Sequence, residues 1–143
     1  MKRRDFLKAI AAVGLTSNLK HPSQLYGNET TFLPRRPLGK TGESLSIIGF
    51  PGIAVKEMEQ KKADKLVGDA VEAGVNYFDV APTYGNSEEI LGPALEPFRK
   101  DVFLACKSAK RIGSELTEEM HNSFRKLKTD HFDLYQLHAL SSV

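Results

Sequence analysis

An α/β fold, the first half of a parallel (β/α)8 TIM barrel with an N-terminal β-ribbon, is what the order of apolar segments predicts for this chain of 143 residues. Three observations carry that expectation. Runs rich in β-branched and aromatic residues alternate with amphipathic stretches of helical period. The strands are expected to end at Gly49, Asp79, Lys107 and His138, so successive ends lie 30, 28 and 31 positions apart, about the length of one βα unit. No Gly-x-Gly-x-x-Gly follows the first strand, which counts against the runner-up, a doubly wound sheet with its pyrophosphate turn.

Residues 1–27 read as a leader, and residues 28–143 as a partial barrel that stops after its fourth strand. Lys2-Arg3-Arg4-Asp5-Phe6-Leu7-Lys8 precedes a short apolar run, residues 9–15, too brief to span a bilayer. The paired arginines resemble a twin-arginine export signal, with Lys2 where that pattern usually has Ser or Thr. This makes the expected location periplasmic or exported, cytoplasmic if the leader does not function, with the membrane met only through the signal. No Ala-x-Ala cleavage site stands out between Thr16 and Gly27. The leader carries a net charge of +4 and the remainder −2, so the body has no basic footprint for nucleic acid. Cys106 is the single cysteine, which excludes an intrachain disulfide and a cysteine-based metal cluster, and no metal site is expected.

The elements follow in order. Residues 31–38 and the turn Gly39-Lys40-Thr41-Gly42 read as a short ribbon, since Pro34 and Pro37 argue against a central strand. Residues 44–50, with Leu45, Ile47 and Ile48, read as the first core strand. Residues 59–73 place Ala63, Leu66, Val67, Ala70 and Val71 at helical spacing, with Gly74 at the C′ position. Val75 to Asp79 is the next strand. Ser87 is the expected N-cap of a second helix with Glu88 and Glu89 in its first turn, and Pro93 should kink or split that helix. Residues 101–107 form a third strand. Residues 117–128 form a helix with Met120, Phe124 and Leu127 on one face, Glu118 and Glu119 in the first turn, and Lys126 and Lys128 in the last. Residues 132–138 are the fourth strand.

Parallel strands bring their carboxyl ends to one edge, so Asp79, Tyr84, Lys107 and His138 should converge there across 60 positions of sequence. Each also has an ordinary structural reading: Asp79 as a turn cap, Tyr84 as packing, Lys107 as a solvated strand end, His138 as a satisfied core histidine. Convergence of all four favours a site. Asp79, the run Tyr84-Gly85-Asn86-Ser87-Glu88, Lys107 and Leu137-His138 resemble the aldo-keto reductases, and so does Arg36-Pro37-Leu38-Gly39-Lys40-Thr41-Gly42. The resemblance covers residues 31–143. It implies an NADPH-dependent reductase of small carbonyl compounds, with NADH the alternative cofactor and Asp79, Tyr84, Lys107 and His138 matching the family's catalytic four. It also implies that Gly52, Ile53 and Asp79 lie on the cofactor side. Two departures are visible: Pro51 stands where the family usually has a second glycine, and the later strands with the amide-stacking and phosphate-clamping residues are absent.

The chemistry of these residue types agrees. Reducing a carbonyl leaves charge on its oxygen, and a free Tyr with a pKa of about 10 is a poor proton donor at neutral pH. A lysine cation beside Tyr84 favours the phenolate, Asp79 keeps Lys107 charged, and neutral His138 can donate a ring N–H to the same oxygen. A short-chain dehydrogenase would place its Tyr and Lys four residues apart, but here 23 positions separate Tyr84 from Lys107. A Schiff-base role for Lys107 is opposed by Asp79. A catalytically weak nicotinamide-binding sensor or scaffold of the same fold is the non-enzymatic alternative. Cys106 should face away from Lys107 by strand alternation and be a buried apolar residue.

Overall fold

The computed structural model describes residues 33–140. The leader, and the export signal expected in it, therefore lie outside the described residues. Strands β1 (Arg35–Pro37) and β2 (Ser44–Ser46) form an antiparallel ribbon with Arg35 opposite Ser46 and Pro37 opposite Ser44. Gly39 and Gly42, at φ of 55° and 91°, make the turn between them, which L side chains resist.

The ribbon corrects one expectation. Residues 44–50 are not one core strand: the first three belong to the ribbon, and only β3 (Phe50–Pro51) joins the main sheet. The cause is local. Ser46 Oγ donates to the Ile48 carbonyl at 2.7 Å, a side-chain bond that bends the chain where a ladder would have continued. Ile47 and Ile48 are consequently 51% and 56% exposed, although both were expected in the first core strand. Buried Asn76 ties the bend down, accepting from the Ser46 N–H at 2.7 Å and donating through Nδ2 to the Ser44 carbonyl at 3.0 Å.

The main sheet is parallel, with β3, β4 (Tyr77–Asp79), β5 (Phe103–Ser108) and β6 (Leu134–Leu137) lying side by side in chain order. Helices α1 (Gln60–Glu72), α2 (Ser87–Leu95) and α3 (Gly113–Leu127) connect them. A doubly wound sheet reverses direction partway, whereas each strand here adds to the same side, as in a (β/α)8 barrel. One face of the sheet packs on the helices: Phe50 and Phe78, with ring centroids 5.1 Å apart, join Leu104, Cys106, Val67, Leu91, Leu95 and Leu127 in a single core.

The helices differ from expectation at their ends. Helix α1 agrees to within a residue, and Gly74 sits past it at φ 96°. Asn86, not Ser87, precedes α2; Ser87 is buried as the first helical residue and donates from Oγ to the Tyr84 carbonyl at 2.7 Å. Pro93 does not split α2, which runs to Leu95 and only then tightens into the 3-10 turn Glu96–Phe98. A proline there forfeits a single intrahelical bond, and burial of Ile90, Leu91, Ala94 and Leu95 outweighs it. Helix α3 begins four residues earlier than expected, so Glu115 is its first-turn acid, Arg125 and Lys126 occupy its last turn, and Lys128 is a left-handed C-cap at φ 51°.

Candidate active site

Strand register decides which side chains share the face away from the helices. Residues paired across parallel strands point to one side, and so do residues two apart along a strand. Asp79 is paired with Ala105, two before Lys107; Lys107 is paired with Gln136, two before His138, which lies just past β6. Asp79, Lys107 and His138 therefore reach the same face at the carboxyl end. Tyr84 arrives from the β4–α2 loop, its ring edge-on to the His138 imidazole at 5.7 Å and 89°. The Lys107 ammonium stands 5.4 Å from the Tyr84 ring centroid. The four residues expected to converge do so.

The loop that carries Tyr84 is tied down on both flanks. The Tyr84 N–H donates to the Ala81 carbonyl at 3.0 Å, and Asn86 Oδ1 accepts the Glu57 N–H at 2.9 Å, linking this loop to the one after β3. Gly85 is left-handed at φ 67°, and the Lys56 stem lies where a Cβ would be, 3.0 Å away at Cε. The left-handed backbone is what opposes a side chain at position 85, since the half-exposed Lys56 stem can move aside.

Lys107 forms an ion pair with Asp79 in which the side chains are only 14% and 27% exposed. Burial pulls the lysine pKa down, but hydrogen bonding and charge attraction from Asp79, with a smaller contribution from Tyr84, outweigh it and hold the pKa above its ordinary value. Tyr77 Oη donates to the other Asp79 oxygen at 3.4 Å; burial first, then the Asp79 charge, raises the Tyr77 pKa and keeps that phenol neutral. His138 Nδ1 lies 3.1 Å from Thr83 Oγ1, and the His138 backbone N–H donates to the Ser108 carbonyl at 2.8 Å. Cys106 faces the helices as alternation required, fully buried, with its thiol pushed up to about 12 by burial and then by the Glu88 charge.

The residues expected on the cofactor side occupy the same edge. Pro51 is paired with Asp79, and Ile53 follows half-exposed in the 3-10 turn Gly52–Val55. Gly52 is buried, and a Cβ there would come within 2.8 Å of Val80 Cβ and 2.9 Å of the Asp79 carbonyl. Close packing against β4 thus accounts for that glycine. Sequence reasoning missed Thr83, Tyr77 and Arg111, whose guanidinium donates to the His138 carbonyl at 2.6 Å. Thr83 and Tyr77 flank residues already singled out and could have been found by adjacency and strand parity, whereas Arg111 lies in a polar loop that gives no periodic signal.

Comparison with known proteins agrees with this geometry. The family model described as "Aldo/keto reductase family" matches residues 47–142. The "Uncharacterized oxidoreductase YqkF" of Bacillus subtilis is 37% identical over 119 residues, which are 73% of this chain and 39% of that protein. "Aldo-keto reductase YhdN" of the same organism is 34% identical over 94 residues, 56% of this chain and 28% of its own. The chain thus spans well under half the length of these curated relatives. Among solved structures, the holo form of aldo-keto reductase AKR11C1 from Bacillus halodurans superposes with a TM-score of 0.64 at 30% identity, covering 73% of this chain and 40% of that one. An aldo-keto reductase from Klebsiella pneumoniae in complex with NADPH gives 0.63 at 25% identity, covering 71% and 38%. With that family's pattern matched along most of the chain and carried on the same parallel sheet, the chain belongs to the aldo/keto reductase family.

Proposed function

We propose that the full-length protein is an oxidoreductase that reduces aldehydes or ketones to alcohols with NADPH, or alternatively NADH, and that Tyr84 is its proton donor. The observation that carries this reading is the placement of Lys107 between Asp79 and Tyr84 on one face of the sheet. The residues present fit the nicotinamide end of such a cofactor: half-exposed Ile53 offers an apolar surface and Asp79 an acceptor, both at the carboxyl edge. When bound, the nicotinamide supplies the hydride that reaches the carbonyl carbon. The oxygen left with the charge takes its proton from Tyr84 Oη, and the phenolate that forms is stabilised by the Lys107 cation. Asp79 keeps that cation charged against the cost of burial. If the Thr83 hydroxyl donates to His138 Nδ1, the ring proton resides on Nε2, free to donate to the substrate oxygen. The raised Lys107 pKa opposes a Schiff-base role, which needs the neutral amine.

The test is kinetic. Tyr84→Phe in the full-length chain should lower kcat by about 1,000-fold or more while leaving NADPH affinity within about twofold, since the hydroxyl acts on charge that appears only in the transition state. Lys107→Met should also cripple turnover. Near-parent turnover of Tyr84→Phe with several aldehydes and quinones would overturn the assignment, and NADPH binding without oxidation by the parent would favour the sensor reading.

A further inference from the structure

We infer that Arg111 is a positioning residue of this site, acting through the backbone of the turn that carries His138; the inference rests on the role proposed above for His138. Arg111 Nη2 donates to the His138 carbonyl at 2.6 Å and to the Ala139 carbonyl at 3.4 Å, while Nη1 donates to the Lys110 carbonyl at 3.0 Å and the Ser108 carbonyl at 3.5 Å. One guanidinium thus joins the loop after β5 to the turn after β6. The turn needs such a strap. Ala139 is held at φ 52°, a left-handed conformation unfavourable for a residue with a Cβ, and strain of this kind persists only where the surroundings enforce it. The reversal at Ala139 ends strand pairing and coincides with the imidazole meeting Thr83 and the edge of Tyr84.

The strap itself has a fixed base. Glu119, freed from the first turn by the early start of α3, accepts from Ser108 Oγ at 2.6 Å and from the Ala109 N–H at 3.0 Å, and Ser108 Oγ accepts the Lys110 N–H at 3.0 Å. The segment running into Arg111 is therefore pinned to α3, one residue past Lys107. A planar fork can serve several carbonyls at once in a way that a lysine ammonium cannot.

A double-mutant cycle on the full-length enzyme with NADPH and a ketone tests this. Arg111→Met should lower kcat/KM by about tenfold, with NADPH affinity unchanged, but should cause no further loss in a His138→Ala background, because the two changes remove the same interaction. Arg111→Lys should fall between parent and Arg111→Met, and serves in the same cycle should the methionine variant not fold. Free guanidinium at millimolar concentration should restore part of the activity of Arg111→Ala, which a general loss of fold would not allow. An equal loss in both backgrounds, or no loss in either, overturns the inference. If Tyr84→Phe abolishes turnover while Arg111→Met is silent or additive, only this inference fails; if Tyr84→Phe is active, the functional reading fails first.

Discussion

Lys107 is cationic because Asp79 outweighs burial, and removing Asp79 should reverse that balance. In Asp79→Asn only the desolvation remains as a large effect, so the lysine should lose its proton at lower pH and the alkaline limb of kcat should move towards neutrality relative to the parent. The stability consequence has a definite sign. A pKa raised on folding contributes stability that is present below the ordinary value of 10.5 and is lost as pH rises through the folded value. The parent should therefore lose melting temperature above that pH, and Asp79→Asn should lack the step; parallel melts would contradict the account. This balance was legible in the sequence because parallel strands bring their carboxyl ends, and with them Asp79 and Lys107, to one edge. Glu88 was not legible. It reads as a solvated first-turn acid, yet it is 1% exposed, 3.7 Å from the Cys106 sulfur, with burial raising its pKa. Glu88 shares the buried face of α2 with Leu91 and Leu95, three and seven residues on, and is covered by Cys106 of β5 and by α3; its place among first-turn acids masked that spacing.

At the scale of elements, α2 and α3 approach closely, and that approach depends on a missing side chain. A Cβ on Gly92 would lie 2.3 Å from the Lys126 carbonyl and 2.7 Å from Leu127 Cα, both backbone atoms that cannot swing away. Gly68 in α1 has only Phe98 Cζ at 4.0 Å in its way. Gly→Ala in a helix is worth about 1 kcal/mol in propensity, whereas overpacking costs about 1–3 kcal/mol or more. Gly68→Ala should raise the denaturation midpoint by up to about 1 kcal/mol of stability, and Gly92→Ala should lower it by about 2 kcal/mol. The opposite order in chemical denaturation would remove the packing explanation. From sequence the two glycines look alike, since helical periodicity reports which face is apolar but not how near the neighbouring backbone comes. A similar limit explains the ribbon: the apolar residues Leu45, Ile47 and Ile48 suggested one core strand, but the Ser46 side-chain bond bends the chain there. At the amino ends of β5 and β6, Arg99 plays the part that Arg111 plays at the other end. It donates to Thr129 Oγ1 at 2.9 Å, to the carbonyls of Val102 at 3.1 Å and His131 at 2.9 Å, and to Asp133 at 3.0 Å.

For the molecule as a whole, the near-constant spacing of strand ends made the fold class readable, because a parallel βα unit has a minimum length and a fixed hand. The leader, which lies outside the described residues, is proposed to direct export of the folded protein with its cofactor already bound. Replacing Arg3 and Arg4 by Lys should retain it in the cytoplasm, and a parent found there as well would refute the signal. The sheet itself makes the strongest demand. Strands β3 and β6 each have one unpaired edge among the described residues, and Ile53, Leu137 and Leu140, at 50%, 46% and 53% exposure, lie at or just past the carboxyl ends of these two strands. Unpaired parallel edges with apolar neighbours recruit other strands, and a closed barrel takes about 250 residues to remove them. A polypeptide limited to residues 1–143 should therefore self-associate or stay partly molten, retaining far-UV helix signal while binding an apolar dye. Sedimentation across a concentration series, with thermal melts, measures this. Polypeptides extended by four further βα units should sediment as a defined species and melt cooperatively, because both edges then have partners. A sharp two-state melt of a soluble 143-residue monomer would show that two open edges and an uncovered inner face are tolerated, and the barrel reading of the sheet would have to give way to a self-sufficient open one.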